Sequence, residues 1–381
     1  MQPKQLASFL SLLIFISYSC ETKTNTQDPL EKVLQSNLQN IKSVTEQLER
    51  HEIQIQYTQI SRKKGQPFFT DYTFQVDSSN YFYPASTIKL PVAILALEKL
   101  NSIDYFDQNT LFYIEGDTLE TTITNEITKI FAYSDNAAYN RLFEFLGTDY
   151  INKQLKKKGI NNTRISHRLS VKDADNLTTK PLVIYLNDST TTLSSKIINT
   201  PIEPLELHKI KKGKYFYENE QLVSEAFDFS YKNYYAIDAQ HEVLKRIIFP
   251  NAFSKDKRFH LTEQQHLFLL KTMGATPKEL GYESLDYYDS YIKFFMYGDT
   301  KTSIPKNIKI YNKVGYAYGT LTDCAYIKDS TNAIEFLVTA TILVNNNETF
   351  NDNTYEYGTI GIPFLAELGR KLYANELKRL P

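Results

Sequence analysis

The segments able to form a β-sheet lie at opposite ends of this chain, and that placement constrains the fold more than any other feature. Near the start, IQIQYTQISRK alternates apolar and polar residues, Lys64 and Gly65 make a turn, and FFTDYTFQVD continues as a second strand. Far downstream, IKIYNKVGYAYGTLTDCAYIKD and AIEFLVTATILVNNN read as three strands of an antiparallel meander. Between them, NEITKIFAYSDNAAYNRLFEFLG and DYINKQLKKKG carry helical spacing. Helices also bracket the sheet-forming ends. Leu30, Val33, Leu34, Leu38, Ile41, Val44 and Leu48 fall three and four apart on one face of a predicted helix. PFLAELGRKLYANELKRL closes the chain as another, with Pro363 in its first turn. The economical solution is an α+β fold. Both chain ends build one antiparallel sheet flanked by the terminal helices, and the middle, about 86–300, forms a helical lobe across a cleft. Residues 187–256 are less regular and read as an elaboration on that lobe.

The first residues read as an export signal. Lys4 precedes LASFLSLLIFISYSC, an apolar run too short to span a bilayer. Cys20 follows the small residue Ser19, which resembles the lipobox of bacterial lipoproteins, although Ser17 stands where leucine is usual. The resemblance implies a signal peptide over 1–19, lipidation of Cys20, a linker over 20–28 and an anchored body over 29–381. The alternative is a plain secreted form. Either places the protein in the bacterial cell envelope, periplasmic or membrane-anchored. With Cys20 lipidated, Cys324 has no partner for a disulfide, and LTDCAYI makes it a small buried strand residue.

Several function classes fall away. A formal net charge of -1 gives no case for a nucleic-acid partner. The six histidines include no His-Glu-x-x-His or other zinc spacing, so no metal is expected, and His167 and His241 read as surface or satisfied core residues. No phosphate-cradling glycine loop occurs, and no cofactor is implied.

The segment YPASTIKLPVAILALEKL carries the chemistry. Ser86 stands three residues before Lys89 at the head of a strongly apolar helix predicted from about Ser86 to Leu100. Residues three apart share a helix face, so the Lys89 amine can reach the Ser86 hydroxyl. The helix N-terminus adds free N–H groups beside it. A lysine buried there loses proton affinity and can accept the serine proton. The segment alone favours Ser86 as a helix N-cap and Lys89 as an exposed first-turn residue. Ser-x-x-Lys occurs five times in the chain, so the pattern itself decides nothing.

Two later segments do. YSDNAAYNRLFEFLG holds the only Ser-Asp-Asn, Ser134 to Asn136, and NKVGYAYGTLTD holds Lys313-Val314-Gly315 at a strand start. Ser-x-x-Lys, Ser-Asp-Asn and Lys-Thr-Gly in that order form the signature set of class A β-lactamases and penicillin-binding proteins. The chain resembles that penicillin-recognising serine hydrolase family over nearly all of its mature length. The resemblance implies that Ser86 is acylated and Lys89 activates it. It implies that Ser134 passes a proton to the leaving nitrogen, Asn136 binds the substrate amide, and Lys313 adds positive charge near Ser134 and the substrate carboxylate. The backbone N–H groups of Ser86 and Tyr316 would form the oxyanion hole. Asp135 would hold its loop, and Gly315 would leave room for substrate along the strand.

Two departures shape the expectation. Val314 stands where the family has a Thr or Ser hydroxyl for the substrate carboxylate, with Tyr318 and Thr320 as possible substitutes. The family's deacylating Glu, in a Glu-x-x-Leu-Asn pattern, is missing from NNTRISHRLSVKDADNLTTKP, where its position falls near Ser170. Arg168, Asn176 and Thr178-Thr179-Lys180-Pro181 align with family counterparts. Asp173 or Asp175 could reach in, although a loop-stabilising role suits them better. The substrate expected is a β-lactam or related amide. Acylation without fast deacylation would suit a D-Ala-D-Ala peptidase acting on peptidoglycan-type peptides, and a non-catalytic binding protein is the third reading.

Overall fold

The computed structural model describes residues 28–282, 284 and 286–379. The leader and Cys20 lie outside the described residues. The five-stranded antiparallel sheet joins both ends of the chain, as the distribution of strands requires. Its strands are β1 (Gln54–Lys63), β2 (Gln66–Phe74), β3 (Ile308–Ala317), β4 (Thr320–Asp329) and β5 (Ile334–Leu343), in the order β3-β4-β5-β1-β2. The seam between the ends is the β1–β5 pairing, running from Gln54 opposite Thr341 to Gln59 opposite Phe336. Two tight turns set the flanking registers. Lys64 and Gly65 both have positive φ between β1 and β2, and Tyr318 and Gly319 do the same between β3 and β4. That backbone matches the right-handed twist of the strands it joins.

The two faces of the sheet are covered differently. One packs against the terminal helices, where Leu30, Val33, Ile41 and Val44 meet Leu365, Leu368 and Leu372 over Ile55, Val338 and Ala340. The other packs against the middle of the chain, so β4 is buried along nearly its whole length instead of alternating. Cys324 is buried on it, as its sequence context predicts.

The predicted N-terminal helix is broken into three pieces: α1 (Pro29–Leu34), α2 (Gln39–Thr45) and α3 (Leu48–His51). The apolar stripe is buried as expected, but Gln35-Ser36-Asn37 interrupts the helix. The bend lets α1 and α2 each pack on the last helix, Ile362–Arg379.

In the helical lobe, α4 (Lys89–Leu100) is apolar all round and almost entirely buried, the signature of a central helix. Around it lie α5 (Ile123–Tyr133), α6 (Asn136–Leu146) and α7 (Thr148–Lys157). The stretch 187–256 is more ordered than its sequence suggests. It includes α8 (Ile237–Ile248), whose Val243, Leu244 and Ile247 belong to the lobe core and which packs on β1, β4 and β5. The stretch also reaches the sheet side. Its strand Tyr215–Glu218 pairs in parallel with Thr349–Phe350, just beyond β5.

Candidate active site

Ser86 does not begin the α-helix as predicted. It lies in a 3-10 turn, Ala85–Ile88, that leads into α4 at Lys89. The turn opens on Ala85 at φ 47°, a left-handed conformation that costs a non-glycine residue free energy. The surroundings impose it: Thr87 donates to the Pro84 carbonyl from both Oγ1, at 2.7 Å, and N, at 3.2 Å. Strand β3 closes against the same turn. A Cβ on Gly315 would stand 2.7 Å from Pro84 O, 2.8 Å from Ser86 N and 2.9 Å from Thr87 N. Glycine there allows the strand to approach the Ser86 backbone. Ser86 itself is half-buried at the cleft wall, and its hydroxyl caps no helix.

Lys89 is fully buried, which removes the reading of an exposed first-turn residue. Its Nζ lies within hydrogen-bond distance of Ser134 O, of Ser134 Oγ at 3.3 Å and of Asn136 Oδ1 at 2.6 Å. Among the described residues these bonds lead to the Ser-Asp-Asn segment and none to the Ser86 hydroxyl, contrary to the direct contact expected from helical spacing. That segment is the α5–α6 junction. Ser134 takes φ 62° as the left-handed cap of α5, and the Asp135 carboxylate caps α6 through Ala138 N. Asp135 thus holds its loop. From the opposite lobe, Lys313 Nζ donates to Ser134 Oγ at 2.8 Å and to Val314 O at 2.9 Å. The two lysines therefore meet on one serine hydroxyl. Burial, and then the charge of Lys313, hold the Lys89 amine well below its ordinary proton affinity. Burial brings Lys313 down to about 7.

A polar network that the motifs did not announce sits behind Lys313. Lys293 donates at 2.8 Å to Met273 O, Ile310 O and Asn312 Oδ1, satisfying all three of its protons. Asn312 in turn donates to Asp323 at 2.8 Å. Burial raises Asp323 to about 6 and lowers Lys293 to about 7. Lys293 belongs to one of the four other Ser-x-x-Lys pairs. The available signal was Asp323 set between Leu321 and the run Cys324-Ala325-Tyr326-Ile327, since a carboxylate is rarely buried without partners.

The third wall is the segment around Arg168. Its guanidinium forks onto Glu144, at 2.6 and 2.9 Å, and also donates to Asn176 O at 2.8 Å and Thr178 O at 3.1 Å. Asn140 adds a reciprocal pair with the Leu169 backbone. Ser170, at φ 56°, accepts from Asn136 Nδ2 at 2.9 Å. A hydroxyl thus faces Asn136 near the position that the family resemblance gives to the missing Glu. Asp173 is exposed away from the cleft lining, whereas Asp175 lines it.

These walls enclose a cleft of about 910 Å³. Ser86, Asn136, Ser170 and Tyr316 line it, with Tyr83, Tyr231, Tyr318, Tyr355 and Tyr357. Apart from Tyr316 and Tyr318 these tyrosines belong to no motif, and the sequence offered no sign of them. Val314 does not face the cleft. It is buried in the core beneath the terminal helices, so position 314 has no route to a substrate carboxylate here. Thr320 is likewise buried. His167 and His241 are satisfied core residues. The first bonds Arg168 O and Asn233 N; the second lies between Thr58 and Thr339. Among the described residues no cluster of His, Cys, Asp or Glu could hold a metal ion.

The family model described as the β-lactamase enzyme family matches residues 38–200, the part that carries Ser86, Lys89, Ser134, Asn136 and Ser170. Over those residues the chain is similar to that family. Solved structures agree on the fold across nearly the whole length. A β-lactamase from Sphaerobacter thermophilus superposes with a TM-score of 0.51 at 11% identity, covering 93% of this chain and 98% of that one. PBP-A gives 0.52 at 13% identity, covering 92% and 96%. A β-lactamase from Desulfarculus baarsii gives 0.52 at 13%, covering 91% and 98%. No curated protein matches. The sheet built from both chain ends, inferred from strand placement, is present, and the β-lactamase/transpeptidase-like fold that the resemblance implies is the one adopted.

Proposed function

We propose that this β-lactamase-like protein is a serine hydrolase that forms an acyl-enzyme on Ser86 with a β-lactam or a related amide. One observation carries the reading: Lys89 and Lys313, from opposite lobes, converge on the Ser134 hydroxyl, and Lys89 also bonds Asn136, which lines the cleft together with Ser86. Ser86 Oγ attacks the carbonyl carbon, and its proton passes to the uncharged Lys89 amine. Burial makes that amine a competent base. The backbone N–H groups of Ser86 and Tyr316 receive the developing oxyanion. The C–N bond then breaks as Ser134 donates a proton to the leaving nitrogen, leaving an ester on Ser86. Asn136 holds the substrate amide, and Lys313 draws its carboxylate.

The expected result is a penicillin adduct on Ser86 by mass spectrometry, absent in Ser86→Ala and lost in Lys89→Ala. Neither adduct nor turnover, with a penicillin and with a chromogenic cephalosporin, would remove the reading. Ser170 favours a second form of it. With a hydroxyl facing Asn136 and no carboxylate there, deacylation is slow, as suits a D-Ala-D-Ala peptidase-like enzyme that penicillins inhibit. A mutant of PBP-A, which shares the fold, is known as an acyl-enzyme with penicillin G. A non-catalytic role leaves the buried lysine pair without a purpose. The protein acts in the cell envelope, tethered through lipid on Cys20; Cys20→Ser should move it from the membrane fraction to the soluble one.

A further inference from the structure

A second groove, of about 780 Å³, opens beside the cleft, and Asn351 lines both. Its floor is the strand Tyr215–Glu218. Strand periodicity sends Tyr215 and Tyr217 to one face, about 7 Å apart, and Phe216 to the other. Phe216 packs on Phe227, which stacks on Tyr318 of the cleft wall, so the strand is anchored to the same body as the cleft. Tyr215 and Tyr217 are 40% and 39% exposed, and among the described residues neither ring has an aromatic partner. The hairpin turn beyond them presents Asn219 and Glu220, whose side chains make no hydrogen bond among the described residues. On the opposite side, Asn351 is held rigid by Tyr217 O and the Tyr355 hydroxyl.

The chemistry of this groove selects its ligand. The part-exposed phenol rings offer apolar surface, and amide and carboxylate groups beside them pair with hydroxyls. No lysine or arginine lines it, and Glu220 and Asp352 are acidic, so a polyanion is disfavoured. An added peptide strand has nothing to pair with on the floor strand, whose two edges are taken by Gln221–Val223 and Thr349–Phe350. What the strand presents is a face, not an edge. Stacked pyranose rings fit that description.

We propose that this groove is a saccharide subsite, taking the sugar rings of an uncharged glycan whose attached amide reaches Ser86 through the shared wall at Asn351. The link to Ser86 rests on the hydrolase reading above; binding of the sugar does not.

The test is calorimetric titration of the mature full-length chain with the tetramer of β-1,4-linked N-acetylglucosamine, and in parallel with an acyl-D-Ala-D-Ala peptide. Replacing both Tyr215 and Tyr217 by Ala should weaken the sugar by roughly tenfold or more. Tyr217→Phe, which keeps the ring, should stay within about twofold. Penicillin acylation of Ser86 should be unchanged in these variants, which also reports that they are folded. No sugar binding up to about 10 mM, sugar binding that the double substitution leaves intact, or a loss confined to the peptide would each overturn the proposal. Failure of the acylation assay alone would strike the hydrolase reading and leave the sugar titration standing.

Discussion

The contact between Gly315 and the Ser86 turn makes Gly315→Ala the most informative single substitution. The added methyl would fall about 0.5 to 0.7 Å short of ordinary van der Waals contact with Pro84 O, Ser86 N and Thr87 N. All three are backbone atoms, so no side chain can swing aside. Either β3 or the turn must shift by a comparable distance, and both carry a proposed oxyanion donor. Overpacking of this size costs about 1–3 kcal/mol of stability. A displacement approaching an ångström at a reacting centre costs roughly a hundredfold in rate. Acylation should therefore slow by about that factor, measured as a time course of the Ser86 adduct with a penicillin, while the protein remains folded by circular dichroism. Val314→Thr is the control from the adjacent residue. It places a hydroxyl in the core beneath the terminal helices, costing about 1–3 kcal/mol, and leaves acylation within about twofold. Wild-type acylation by Gly315→Ala would refute the close-approach reasoning. Faster acylation by Val314→Thr would show that position 314 does serve the substrate.

Three further outcomes follow from the site. Ser170→Glu puts a carboxylate opposite Asn136 and should shorten the acyl-enzyme lifetime by at least about tenfold, since a positioned general base contributes far more than that; an unchanged lifetime by mass spectrometry counts against Ser170 as the vacant base position. Arg168→Ala strands the buried Glu144 carboxylate and frees the 168–178 segment, costing about 3–5 kcal/mol in urea unfolding; a loss under 1 kcal/mol would mean the pair is only a surface contact. Stability should also fall on acidification. Burial holds His167 at about 4 and His241 at about 3, against 6.5 for a free histidine. The unfolded chain therefore takes up protons first as pH drops below 6.5, and the native state loses stability until those folded values are passed. Asp323, raised from 3.8 to about 6, acts in the opposite sense between those values, because there the folded state holds the extra proton. The two histidines outweigh it, so urea midpoints should drop between pH 6.5 and 4, and a flat profile would contradict the burial argument.

Much of this architecture was legible in one dimension because it rests on local rules. Period-two alternation and the Lys64-Gly65 turn define the hairpin, and the location of strands at both ends leaves one economical sheet. The three motifs mark their segments because short-range geometry places each at a helix start, a helix junction or a strand. The break at Gln35-Ser36-Asn37 was not legible, since the apolar spacing continues across it and only packing on the last helix decides where the chain bends. For the same reason α8 was hidden within a stretch of irregular composition.

Residue types and their order determined by themselves which side chains are candidates for the chemistry: Ser86, Lys89, Ser134, Asn136 and Lys313. Tertiary structure alone decided how they meet. Lys89 turns to Ser134 and Asn136, although Ser86 is its neighbour in the helix register, because two lobes distant in sequence enclose it and leave those acceptors within reach. Gly315 serves the backbone of the Ser86 turn, and Val314 the core, because strand alternation and the covering helices determine which side each residue faces. The tyrosine-lined cleft and the groove beside it come from segments near 83, 215, 231, 318 and 355. No local rule links residues so far apart in the chain; only packing brings them to one surface.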